Sequence, residues 1–360
     1  MYLNQLLNIS LLFIIAASLL TSCFPEDEQQ PLIPFTGVIG STYNSIYTHQ
    51  SYYSFSDSSE VSYNLNAAWD LGFEAAASGE HVILNNSDFL RVANLGAIDF
   101  DQYLAVPDNA LWLYDASSGN FDSLSIMNWV NTRVSPYEYT YNVYILGRVG
   151  DYGIEPLKKF QLTELTGDHY TITVDNLDNS KREILVVNKK TNLNFIKVGI
   201  RNNAQVVQIE PDNNVWDIQF TQYEDSIPDD SGVLYPYVLR GAFINDTKIE
   251  VAKYYISTDE VPANESDPNK ESNDLKNYFE SNSIKPMADS LYSSDWDAIG
   301  WEWKDVTVDE AANTAVYKAD TRRIYLIKDL LNGKNYKLRF FSYYSNGVVG
   351  YPWFQYVEVN

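Results

Sequence analysis

The chain has 360 residues, 25 Lys and Arg against 48 Asp and Glu, a formal charge of −23, and 28 Tyr, 16 Phe and 8 Trp beside one Cys. A field this acidic repels a phosphate backbone, which excludes nucleic acid as a partner. One Cys excludes a disulfide framework and a Cys-rich metal centre, so no structural metal is expected, and 45% apolar content is the globular range.

Residues 1–22 carry no charged side chain, and Leu6 to Leu20 is an apolar run that ends in Thr21-Ser22-Cys23. Such a run, about 15 residues, is too short to span a bilayer and reads as an export signal peptide. The sole Cys stands at the cleavage point, and Leu20 to Cys23 resembles a bacterial lipobox, which makes Cys23 the lipidation site. Residues 23–37 then form an acidic, Pro-containing tether. An acidic run behind the acylated Cys resembles the surface-export signal of one large group of Gram-negative bacteria. Outer-membrane, cell-surface display on palmitate-type acyl chains is therefore expected, with the lipid anchor as the only membrane contact.

In the mature chain Trp69-Asp70-Leu71-Gly72-Phe73 recurs as Trp216-Asp217-Ile218-Gln219-Phe220, 147 positions later. On a strand, alternate residues share a face, so each copy predicts a half-buried strand with Trp, Leu or Ile, and Phe on one side. The separation is too long for a solenoid and points to two related β subdomains, 38–150 and 151–360, with the boundary somewhere in 137–162. Loops are expected over 106–122 and 258–271. Residues 183–188 and 193–200 are rich in β-branched residues and flank a polar turn, which predicts a hairpin. Asp274 to Glu280 predicts a short helix. Three strands at 323–327, 336–340 and 352–357, joined through Asn332-Gly333 and Asn346-Gly347, predict a meander. The fold class is all-β, mostly antiparallel and sandwich-like, with few short helices.

Chemistry-bearing motifs are scarce. There is no Gly-x-Ser-x-Gly, His-Glu-x-x-His or phosphate loop, and Asp267, Asn269 and Glu271 fail as a calcium loop because Ser272 and Tyr278 stand where Gly and Glu are needed. With no nucleophile–base pair in view, a binding protein is expected rather than an enzyme. The three His are far apart in sequence. Met127 and Met287 read first as core filling, and Trp296, Trp301, Trp303, Tyr351 and Trp353 either line an apolar pocket or fill a β core.

The ordered series Trp216 to Thr221, Ile299-Gly300-Trp301-Glu302-Trp303-Lys304, Tyr325-Leu326-Ile327 and Tyr336 to Phe340 running through Gly350-Tyr351-Pro352 resembles the HmuY-type haem-binding lipoproteins. Trp69 to Phe73, followed by His81 to Asn85, resembles the N-terminal part of longer members. The resemblance implies an all-β protein on a lipid anchor that captures haem and delivers it to a TonB-dependent outer-membrane receptor. In the haem-binding prototype a His directly follows the Trp-Asp strand, whereas this chain has Glu74 and Thr221, so the bis-His set does not carry over. Some relatives ligate iron through Met, which makes Met287, Met127 and then His81 the axial candidates. Arg322 and Arg323 are the candidates for pairing haem propionates. The competing readings are a non-haem accessory module that keeps the fold, and a glycan-binding β lipoprotein that uses exposed Trp and Tyr.

Overall fold

The computed structural model describes residues 37–102, 104–148, 157–229, 231–281, 283–309 and 314–359. The signal segment, Cys23 and the tether through residue 36 lie outside them.

The first half contains β1 (Val38–Ser41), β2 (His49–Ser54), β3 (Ser59–Leu65), β4 (Leu71–Glu74), β5 (Val82–Leu84), β6 (Leu90–Asn94), β7 (Trp112–Leu113), β8 (Val130–Asn131), β9 (Glu138–Tyr139) and β10 (Val143–Arg148). It continues through β11 (Lys158–Leu165), β12 (His169–Asn176), β13 (Glu183–Asn188), β14 (Phe195–Gly199) and β15 (Gln205–Val207). The second half has β16 (Ile218–Pro228), β17 (Leu234–Ile244), β18 (Ile249–Tyr255), helix α1 (Pro268–Glu280), β19 (Lys304–Asp309), β20 (Thr314–Ala319), β21 (Arg323–Asp329), β22 (Asn335–Ser345) and β23 (Val348–Val359).

Four sheets carry the architecture: β13-β12-β11-β10-β6-β7, β15-β14-β4-β5, β17-β16-β2-β3 and β1-β23-β22-β21-β18. Alternation along each strand decides the layering. Leu71 and Phe73 of β4 and Ile196 and Val198 of β14 join Val92, Phe160, Ile172 and Val174 of the six-stranded sheet in one core. Ile218 and Phe220 of β16 join Ile327, Leu338, Phe340 and Phe354 of the five-stranded sheet in a second. The opposite faces of the two four-stranded inner sheets meet through Tyr52, Trp69, Ile83, Phe195 and Trp216. The chain is therefore two sandwiches joined back to back, as its all-β patterning implied.

The two inner sheets are built by a reciprocal exchange. Hairpin β2–β3 precedes the first Trp-Asp strand β4, and hairpin β14–β15 precedes the second, β16. Yet β4 pairs with β14, Val198 opposite Leu71, while β16 pairs with β2, Tyr53 opposite Ile218. Each hairpin thus supplies its first strand to the other copy's sheet.

Three expectations are corrected. Residues 183–188 and 193–200 do not form a hairpin: β13 pairs with β12 in the outer sheet, whereas β14 crosses to the inner sheet. Both are apolar strands, and only their partners distinguish them. The division at 150/151 falls between β10 and β11, which pair with each other, so the sheet runs through it. The loop over 258–271 ends early, because Asp267 caps α1 by accepting from Lys270 N and Pro268 opens the first turn. The meander is present as β21-β22-β23, and its turns use Gly333 (φ +72°), Asn346 (φ +50°) and Gly347 (φ +77°) in the left-handed region that Asn-Gly accommodates.

Candidate functional site

The Trp-Asp repeat carries matching hydrogen-bond hardware in both copies. Asp70 N donates to Val198 O, and Asp217 N donates to Tyr53 O. Two residues beyond each acceptor, Ile200 N donates to Asp70 Oδ2 and Phe55 N donates to Asp217 Oδ2, both at 2.6 Å. A cation completes each carboxylate: Arg201 Nε at 2.6 Å from Asp70, and Lys248 Nζ at 2.7 Å from Asp217. The carbonyl side is equally matched. Asn85 Nδ2 donates to Asn66 O and Trp69 O, and Asn245 Nδ2 donates to Asn213 O and Trp216 O. The acceptors stand three residues before each Trp, and at each Trp itself.

This hardware fixes Trp69 and Trp216 on opposite sides of a cavity of about 70 Å³ between the inner sheets. Gln50, Tyr52, Lys197, Glu210, Gln219 and Gln222 also line it, with half-exposed Phe243, Asp246 and Trp296 among its wall. Tyr52 meets Trp216 edge-on at 5.0 Å, and at the equivalent place Lys197 Nζ lies 4.2 Å from the Trp69 ring centre. Burial pulls the Lys197 ammonium down to about 8, against the opposing pull of Glu210, whose carboxylate is 3.8 Å away. Burial raises Asp246, and pushes Asp115, at the cavity edge, up to about 6.

A second feature surrounds His81. Its Nδ1 lies 2.6 Å from Glu74 Oε2, and its ring stacks on Phe121 at 3.9 Å. Glu74 also accepts from the backbone N–H groups of Glu80 and His81. Burial opposes ionisation of Glu74, but these hydrogen bonds outweigh it and lower the carboxyl below its usual range. Lys189 Nζ braces the same turn through Ala77 O and Gly79 O. The bridge between Val82 and Ile126 brings exposed Met127 abreast of His81 in register. An imidazole whose Nδ1–H donates to a carboxylate has its Nε2 lone pair free to act as a donor atom.

The remaining sequence candidates are dispersed. Met287 packs in a separate cluster with Leu275, Phe279 and Ile284. Trp303 is core, stacked on Phe340 at 4.2 Å. Trp301 and Tyr351 are half-buried outside the cavity lining, and Trp353 sits on β23 near Phe341. Only Trp296 reaches the cavity. Arg322 is a clamp on Ile256 O, Val261 O and Glu271 Oε1, and Arg323 faces Glu302 and Asp320. Both guanidinium groups already have protein acceptors, so neither is disposed to bind a propionate. Thr221, in the position after the second Phe, lines the cavity, whereas Glu74, after the first, holds His81.

The candidates that sequence reasoning missed are Lys197, Glu210, Gln50 and Gln222. The available signal was a lone Lys in the otherwise apolar strand β14, but nothing in its spacing from Glu210, which follows β15, brings the two together.

Among curated proteins none matches this chain. A solved Bacteroides fragilis structure described as a presumed lipoprotein aligns with 54% of this chain and 92% of its own, at 16% identity and a TM-score of 0.21. The family model described as HmuY protein matches residues 46–356, a span that includes both Trp-Asp copies, His81 and the cavity. The chain belongs to the HmuY family.

Proposed function

We propose that this chain is a non-enzymatic, lipid-anchored protein of the outer-membrane surface that captures haem or a related porphyrin and passes it to a TonB-dependent receptor. Membership of a family with haem-binding members supports the ligand class, and the lipobox-like Leu20 to Cys23 supports the anchor. The observation that carries the reading is His81, half-exposed, oriented by Glu74 and stacked on Phe121. When bound, haem supplies an iron with axial positions to fill. His81 would hold the donor atom, Glu74 would fix the tautomer and ring angle, and Phe121, stacked on the imidazole, would restrain its rotation.

The test is a haemin titration of the chain from residue 24 onward, followed as a Soret difference spectrum. A sharp, saturable shift is expected. Glu74→Gln should weaken binding roughly tenfold or more, as loss of an orienting partner does at metal-ligating His. His81→Ala should weaken it further and Met287→Ala should leave it unchanged. A non-saturating response rejects the haem reading, and unchanged binding in His81→Ala rejects the axial assignment.

A further inference from the structure

An open sheet ends in a strand with one row of unpaired N–H and C=O groups, and native proteins blunt such edges by shortness, proline, charge or a covering segment. Nearly every edge of this molecule is blunted. Among the described residues β5, β7, β8, β9 and β15 have two or three residues each, and β1 has four. β17 carries Pro236 and Arg240, β3 carries Glu60, and β18 carries Glu250 and Lys253 and is bridged at Val251 by Ser293. β19 and β20 carry Asp305 and Lys318. β13 is the exception. It closes one side of the six-stranded sheet, pairs with β12 over six residues without a register shift, and has no Pro and no charge from Ile184 to Asn188.

The direction of its backbone groups follows from one bond at its end. Lys189 N donates to Asp168 O, one residue beyond the Asn188–His169 pair, so that pair is a non-hydrogen-bonded one in the antiparallel ladder. The bonds to β12 therefore belong to Glu183, Leu185 and Val187. The N–H and C=O groups of Ile184, Val186 and Asn188 point away from β12, to a side where no strand among the described residues pairs with them. Two of these residues also have exposed apolar side chains, Ile184 at 69% and Val186 at 47%. Main-chain donors and acceptors at two-residue spacing beside an apolar ridge are what a sheet offers to an added strand.

Charge identifies the strand that fits. Residues 181–190 hold four cations, Lys181, Arg182, Lys189 and Lys190, and one carboxylate, Glu183, within a chain of net charge −23. Arg182 is matched by Asp101 and Asp175. Lys181 rests on neutral oxygens of Asn202 and Asn203, and Lys189 on Ala77 O and Gly79 O. Lys190 is exposed and has no side-chain partner among the described residues. The uncharged centre of β13 is thus flanked at both ends by positive charge. A strand with acidic residues at its ends is attracted here, whereas a second copy of β13 brings its own four cations to the same edge.

We propose that β13 is a docking edge for an extended, acid-flanked segment of a partner protein, which adds to the six-stranded sheet through Ile184, Val186 and Asn188. The proposal does not rest on the haem reading.

A fluorescent synthetic peptide, Asp-Glu-Val-Thr-Val-Thr-Val-Asp-Glu, tests it by anisotropy against the haem-free chain from residue 24 onward. A second peptide, with Lys in place of each Asp and Glu, is the comparison. Saturable binding of the acidic peptide is expected, roughly tenfold or more tighter than that of the basic one and weakened by added salt. Val186→Pro removes an N–H that faces solvent, so the melting temperature should hold while peptide binding falls roughly tenfold or more. Ile184→Thr keeps the test valid if the Pro variant melts lower, and it should weaken binding about threefold through lost apolar contact. Lys181→Glu combined with Lys190→Glu should reverse the preference between the two peptides. No saturable binding of the acidic peptide overturns the proposal, as does equal binding of the basic one or unchanged affinity in both edge variants. Sedimentation of the free chain covers the other occupant: a dimer that Val186→Pro dissolves would mean that a second copy closes this edge, and would overturn the proposal as well.

Discussion

At the scale of single residues, the ionisable groups enclosed between strands are the most informative. Asp115 accepts Leu84 N at 2.6 Å and Ser125 N at 2.8 Å, yet burial outweighs these bonds and lifts its carboxyl from 3.8 to about 6. The folded state then holds this proton more tightly than the unfolded chain does. The contribution of Asp115 to stability therefore falls as pH rises from the ordinary carboxylate value through about 6, by about 3 kcal/mol over the two-unit shift. Asp115→Asn removes the titration. The difference in unfolding free energy, wild type minus variant, should drop by about that amount between about pH 3.5 and about pH 7 in urea melts. A difference that stays flat over this range would show that Asp115 is not held neutral. The same reasoning applies with less leverage to Asp217, where burial raises the carboxyl and Lys248 partly restores it.

At the scale of elements, the two inner sheets depend on Asn residues that tie each Trp-Asp strand to the chain entering it. Replacing Asn85 or Asn245 by Ala strands two buried carbonyls, and each change should cost about 2–3 kcal/mol in chemical denaturation. Near-equal losses are expected, because the two copies use the same bonds; a negligible cost at one site would show that the symmetry is geometric but not energetic. This hardware also marks how far the sequence was legible. Trp69 to Phe73 and Trp216 to Phe220 were visible because strand burial repeats side-chain classes at fixed spacing. Their Asn partners were not, since one lies on a short connection and the other beyond the long β16–β17 hairpin. The exchange of β2 and β14 was hidden for a similar reason. Tyr52 and Lys197 occupy equivalent places but share no chemistry, and alternation reveals which face is buried without naming the neighbour. Of the sequence candidates, Trp296 reached the cavity and His81 acquired an orienting carboxylate. Arg322 read as a ligand cation, but such clamps on backbone carbonyls come only from tertiary approach.

At the scale of the whole molecule, the reciprocal exchange decides how the chain must fold. β2 is a central strand of a sheet whose other long strands follow residue 217, and β14 is the partner of a strand that ends at residue 74. A fragment ending at residue 150 holds β4 without β14, and its complement holds β16 without β2. Each would expose an inner-sheet edge and the residues that line the central cavity. Buried charge is matched among the described residues: Lys158, Lys159, Lys197, Lys248, Lys304, Lys337 and Arg339 are enclosed, as are the carboxylates of Asp70, Asp88, Asp115, Asp175, Glu210, Asp217, Glu224 and Asp329. Lys337, for example, donates to Phe279 O and Ser281 O at the C-terminal end of α1; because the buried charges nearly cancel, the surface keeps nearly the whole net charge of −23 and the two acidic halves repel. Fragments 37–150 and 151–360 should each lack a cooperative thermal transition and near-ultraviolet dichroism when expressed alone. The chain from residue 37 onward should unfold in one transition by both fluorescence and calorimetry. Co-expression should recover a native-like complex, because both missing strands are supplied, with assembly weakened at low ionic strength where repulsion is least screened. A fragment that melts cooperatively alone would mean that its inner sheet is complete without the exchanged strand, and the back-to-back joining would then be a docking of two domains.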